Sequence, residues 1–225
     1  MESTKELNKS AFDIEITSYC QAECYGCQRN IGLKGKNPAL VESHMLYENF
    51  CKLLDSIDAD LQCEHIEFCG EFGDPMMHPD IERFIERASH STSFINIHTN
   101  GGLRQPKWYS YMAEKHIDYD LEIKFGIDGC DHNTNWKYRK GVHWERAMDN
   151  LRAWTDAGGK GHWAFLLFDW NYHQIPQAVQ MANDIGCKLK FHLTRDNNGL
   201  GGMSPHIINS DKFQNLCNEY NILFD

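Results

Sequence analysis

The chain has 225 residues, 41% of them hydrophobic and 12% aromatic, and its 22 basic against 32 acidic side chains give a formal charge of −10. This length suits one domain with a sizeable core, and the acidic balance argues against broad binding to nucleic-acid backbones, which needs a clustered basic face. No apolar run approaches the roughly 20 residues that span a bilayer, and the opening MESTKELNKS has no apolar core like that of a signal peptide, so a soluble cytoplasmic protein is expected.

Strand-like and helix-like segments alternate along the chain. Phe12–Thr17 reads as a strand, followed by a polar loop and a helix near Ser43–Ile57 with Leu46, Phe50, Leu53, Leu54 and Ile57 at helical spacing. A strand at His65–Cys69 leads to a helix over about Asp80–Ala88, and a strand at Phe94–His98 to a helix around Lys107–Lys115. Leu121–Ile127 is a fourth strand, with a helix near His143–Thr155. Trp163–Phe168 and a helix over Ile175–Ile185 make a fifth unit, and Lys188–Leu193 a sixth strand.

Consecutive β–α steps predict a parallel sheet with helices outside it, since parallel neighbours need crossover connections. A doubly wound open sheet and a partial (β/α)6 barrel both satisfy that pattern. Strand interiors favour the barrel. Alternation sets Phe12, Ile14 and Ile16 against Asp13, Glu15 and Thr17, Leu121, Ile123 and Phe125 against Glu122, Lys124 and Gly126, and Leu189, Phe191 and Leu193 against Lys190 and His192. A buried parallel sheet is ordinarily apolar on both faces; a polar inner face is expected of strands lining a ligand-filled lumen. Surface strands, or internal pairs such as Glu122–Lys190, are the competing explanation.

Nine cysteines in a long chain without a signal segment point to metal binding or free thiols rather than disulfides. Cys20, Cys24 and Cys27 directly follow the first strand, and thiolates at this spacing can wrap a cubane cluster and leave one iron open. On spacing alone the loop also suits a zinc site completed by a histidine. Cys51, Cys63, Cys69, Cys130, Cys187 and Cys217 are scattered, so no auxiliary cluster is expected.

A CxxxCxxC loop after the first strand of a β–α run resembles the radical S-adenosylmethionine superfamily. The likeness extends over roughly residues 11–195. Gly73-Asp74-Pro75 with His78-Pro79-Asp80 resembles the family's Gly-Glu-Pro motif, and Thr99-Asn100-Gly101 its Thr-Asn-Gly turn. Gly126-Ile127-Asp128-Gly129, followed by Tyr138-Arg139-Lys140-Gly141, is similar to the branch with peptide-modifying members. Three positions depart from the pattern: Gly26 stands where an aromatic often precedes the last cysteine, Asp74 replaces the usual glutamate, and Gly126 replaces a serine.

The resemblance implies a single core domain over 1–225, a partial (β/α)6 TIM-like barrel with β–α units at about 11–195 and a short extension at 196–225. It implies an oxygen-sensitive [4Fe–4S] cluster on Cys20, Cys24 and Cys27, and an open iron that chelates S-adenosylmethionine. Reductive cleavage would then give a 5′-deoxyadenosyl radical that abstracts hydrogen from a polar substrate: peptide, amino-acid-like or nucleotide-like. Phe72, Gly73, Asp74, Thr99, Asn100, Asp128 and Arg139 are implied on the cofactor side. The inward polar residues Glu15, Glu122, Lys124, Lys190 and His192 are the candidates on the substrate side. A reductase or a flavodoxin- or ferredoxin-type donor is the implied partner, with no nucleic acid and no membrane. A non-catalytic iron–sulfur electron carrier is the alternative.

Overall fold

The structure is a computed structural model that describes residues 9–60, 62–194 and 202–224. Its strands are β1 (Lys9–Asp13), β2 (Gln62–Phe68), β3 (Phe94–Thr99), β4 (Asp120–Gly126), β5 (Lys160–Leu167) and β6 (Lys188–Leu193). The helices are α1 (Tyr47–Asp60), α2 (Ile81–Ala88), α3 (Pro106–Lys115), α4 (His132–Tyr138), α5 (Trp144–Asp156), α6 (Ile175–Ile185), α7 (Pro205–Ile208) and α8 (Asp211–Glu219). All strand pairs are parallel and the spatial order is β1-β2-β3-β4-β5-β6. β1 and β6 are the two edges, so the sheet is a partial barrel that does not close.

The outer face of the strands carries the core. Ile66, Phe68, Ile95, Ile97, Leu121, Ile123, Phe125, Trp163 and Phe165 are buried there, and the helices contribute Phe50, Phe84, Met112, Leu151 and Ala178. In α2, Ile81, Phe84, Ile85 and Ala88 are buried while Glu82 and Arg83 between them are not, the stripe that a 3.6-residue repeat lays on one side of a helix. Proline stands in the first turn of α3 and α6, where its missing N–H costs nothing. α6 stops at Gly186 in the left-handed conformation, with φ of 77°.

Three expectations shift. β1 ends at Asp13: Ile14 still donates to the Glu67 carbonyl at 2.8 Å, and the chain then leaves the sheet to bridge Thr17 with His44. Alternation continues through residues 14–17, but pairing stops where the chain turns to present the cysteines. α4 has no counterpart in the sequence reading because HNTNWKY has no apolar stripe; Asp131 starts it by accepting from Thr134 N at 2.8 Å. The expected C-terminal extension contains α7 and α8, with Phe213 and Cys217 buried, whereas residues 195–201 lie outside the described residues. No helix among the described residues is long and apolar enough to cross a membrane.

Candidate functional site

Parallel strands bring all their C-terminal ends to one rim, and there the loops after β1, β2, β3 and β4 meet. Short turns shape the cysteine loop: Cys27 N donates to Cys24 O at 3.1 Å, and the Asn30 side chain to the same carbonyl at 2.8 Å. Arg29 fastens it. Its buried guanidinium donates to the carbonyls of Ser18 and Phe72 and pairs with Glu42, tying the segment after β1, the cysteine loop and the loop after β2 together. Nothing in the sequence motifs singled out Arg29. Its role depends on carbonyls that only the fold brings near.

Glu15 serves the same junction. Its Oε1 accepts from the backbone N–H groups of Phe72 and Gly73, so this carboxylate holds a loop instead of lining the cavity. Gly73 fits because a Cβ there would stand 2.0 Å from the Thr17 carbonyl oxygen. Asp74 is buried and accepts from Met76 N at 2.9 Å, Asn100 N at 2.8 Å and Thr99 Oγ1 at 3.0 Å, while burial pushes its pKa up. It therefore caps the turn at Pro75–Met77 and staples the Thr-Asn-Gly turn beside it. Asn100 and Gln21 exchange amide hydrogen bonds of 2.7 and 3.3 Å, which locks that turn to the cysteine loop.

Arg139 comes from the end of α4. Its Nε donates to Asp128 Oδ2 at 2.6 Å, and its guanidinium lies where a Cβ on residue 126 would be, 2.8 Å from Nη2. Asp128 is fully buried, also accepts from Leu166 N at 2.8 Å, and does not line the cavity. It reaches the site only through Arg139. Tyr25 packs edge-on against Tyr138 with ring centroids 5.0 Å apart, so Tyr138 and Gly26 line the cavity and Tyr25 does not.

These loops cover one end of a cavity of about 1490 Å³, larger than the roughly 300–1,000 Å³ of most small-molecule pockets. Cys20, Cys24, Cys27, Phe72, Gly73, Asp74, Thr99, Asn100 and Arg139 line it, and Glu67, His98, Lys124, Lys190 and His192 line it farther along the strands. Glu122 lies on the same strand face as Lys124 but outside the lining.

Burial raises the Cys20 thiol to about 12 and the Cys24 thiol to about 11, so both need a cation before they ionise. Donors wait for the thiolates: Ala22 N–H points at the Cys20 sulfur from 3.3 Å, and the Asn100 amide from 3.7 Å. Among the described residues no group of three His, Cys, Asp or Glu side chains is arranged to hold a single metal ion. Three thiols facing one cavity, with N–H donors aimed at sulfur, fit a cluster that takes each thiolate on its own iron.

The fold is shared with solved structures. Streptococcus suis SuiB bound to S-adenosylmethionine superposes with a TM-score of 0.69 at 14% identity, covering 97% of this chain and 50% of that one. SuiB bound to precursor peptide SuiA gives 0.70 at 13%, covering 97% and 48%. Native anSMEcpe with bound AdoMet gives 0.69 at 12%, covering 95% and 62%. This chain thus spans about half to three-fifths of their length. No curated protein matches it by sequence. The family model for the Radical SAM superfamily matches residues 14–182, from the end of β1 into α6, and the chain belongs to that superfamily.

Proposed function

We propose that this chain is a radical S-adenosylmethionine enzyme that acts on a polar substrate, peptide or amino-acid-like in kind, held in the lumen of the partial barrel. The observation that carries this reading is a single cavity with three cysteines and the Phe72–Asp74, Thr99–Asn100 and Arg139 loops at one end and a polar strand face beyond them. Bound there, an oxygen-sensitive [4Fe–4S] cluster and S-adenosylmethionine supply reductive cleavage and a hydrogen-abstracting 5′-deoxyadenosyl group, with electrons from a flavodoxin- or ferredoxin-type donor.

Cys20, Cys24 and Cys27 would hold the iron. Arg139, aimed by Asp128 across Gly126, offers guanidinium N–H groups to a carboxylate. Glu15 and Arg29 act on backbone amides and carbonyls that set the loop height around the cofactor. Lys124, Lys190 and His192 face the space left for substrate. A peptide fits its size, and the related fold of SuiB bound to precursor peptide SuiA supports that class.

Anaerobic reconstitution with iron and sulfide, followed by dithionite and S-adenosylmethionine, tests the reading. 5′-Deoxyadenosine should form, and Cys20→Ala, Cys24→Ala and Cys27→Ala should each lose the iron and the product. A reconstituted cluster whose paramagnetic spectrum ignores saturating S-adenosylmethionine would identify an electron carrier instead.

A further inference from the structure

Below the loops, three neighbouring strands set nitrogen beside nitrogen. The register places His98 of β3 opposite Lys124 of β4, and Lys124 opposite His162 of β5. His98 Nε2 stands 2.7 Å from Glu67 Oε1 and 3.3 Å from Lys124 Nζ. One ring nitrogen cannot donate to a carboxylate and accept from an ammonium at once. The shorter contact, to the carboxylate, claims the proton, so Lys124 faces a donor and has no acceptor there. No carboxylate among the described residues lies within 4.0 Å of Lys124 Nζ.

His162 extends the mismatch. The residue is 8% exposed and lies beneath the cavity lining, and its Nε2 is buried without a hydrogen-bond partner. Burial first, then Lys190, Lys124, His192 and His98, push its pKa down to about 3. A buried polar group left without a partner is costly. In the next row up the Arg139 guanidinium fills the space over Gly126, and the room for the missing partner lies over Ala164, a small side chain in the cavity wall with Lys190 opposite it.

Resting on the reading of the lumen as the substrate chamber, we propose that Lys124, His162 and Lys190 form a subsite for an oxyanion, a carboxylate or phosphate carried by the substrate. Glu67 accepts the His98 N–H and so keeps the Lys124 ammonium free for that group. His162, in the tautomer with the proton on Nε2, donates from below. Lys190 closes the subsite from the open edge of the sheet. Hydrogen-atom abstraction would thus act on a molecule anchored at one end by its anion.

The test uses the anaerobically reconstituted holoenzyme with isotopically labelled histidine rings, titrated without S-adenosylmethionine. Inorganic phosphate and acetate are added separately, with chloride at matched ionic strength as reference. The His162 ring signal, assigned by its loss in His162→Gln, should move saturably, and Lys124→Met and Lys190→Met should each weaken that binding about tenfold or more. Saturation by phosphate alone assigns a phosphate, and by acetate alone a carboxylate. Absence of a saturable shift with either anion, or unchanged affinity in both lysine variants, overturns the proposal. Lys190 is exposed on an edge strand, so its variant carries the test if Lys124→Met fails to fold. Because no cleavage is measured, the result is separate from 5′-deoxyadenosine formation. An intact subsite without that product would fault the enzyme reading, and the reverse would fault the subsite.

Discussion

Arg139 owes its place to a missing side chain at residue 126 and to a buried acid at 128. Removing one partner of a buried pair leaves the other charge uncompensated. Asp128→Asn should lower stability in urea by about 3 kcal/mol, the low end for such pairs because Arg139 keeps some solvent contact. A loss under about 0.5 kcal/mol, the scale of surface pairs, would show that water already screens the contact. His162 gives a pH prediction with a definite sign. Its folded-state pKa lies below the ordinary histidine value of about 6.5, so the unfolded chain binds the proton more readily. Stability is complete above about 6.5 and falls as pH drops from there towards about 3. The slope from this one group is at most about 1.4 kcal/mol per pH unit. His162→Gln should flatten that limb of a plot of urea midpoint against pH, and an unchanged limb would assign the acid sensitivity elsewhere.

At the scale of elements, two short segments carry the site. α4 is seven residues long and places Tyr138 in the cavity wall with Arg139 at its C-terminal end. Asp131 caps it and also accepts from Thr134 Oγ1 at 2.8 Å and Gln174 Nε2 at 2.9 Å. Asp131→Ala should cost about 1–2 kcal/mol by chemical denaturation and, under the proposed function, weaken S-adenosylmethionine binding while the iron content holds. The loop after β2 is tighter still. Gly73→Ala would drive a Cβ against backbone, which has no flexible end to move aside. The expected cost is about 3 kcal/mol or more, read as a fall in soluble, iron-loaded protein; wild-type yield would mean that the loop after β1 shifts to admit it.

Across the whole molecule, the open sheet divides strands by how they are covered. β2, β3, β4 and β5 are each paired on both sides, while among the described residues β1 and β6 each have one free edge. Local opening follows buried contacts and protected hydrogen bonds, so native-state hydrogen exchange should be slowest in β2–β5 and faster in β1 and β6. Equal protection of β1 and β6 would mean that a second chain, or a covering segment, pairs with those edges. Among the described residues no strand bridges β1 and β6. Asp13 and Lys188, on the two edge strands, both line the cavity, as do Tyr220 to Phe224 after α8.

Several features needed only the chain. The period of two in β4 and β6 marked one apolar and one polar face, since side chains alternate in any extended segment whatever its partners. Helices α2, α3, α5 and α6 were legible from the alternation of helix-like and strand-like segments, and three cysteines at tight spacing suggested metal ligands because thiolates so close can share one metal centre. The sequence could not tell where β1 leaves the sheet, because pairing ends at a partner's edge. Nor could it show α4, a polar helix whose buried Asn135 accepts from Asp128 N at 2.8 Å through its Oδ1. Glu15 and Asp128 read as lumen and cofactor residues; tertiary structure turned the first onto the Phe72–Gly73 amides and the second onto Arg139. A polar side chain's role is set by the donor it meets, and donors from distant loops become neighbours only after parallel strands have gathered their ends at one rim.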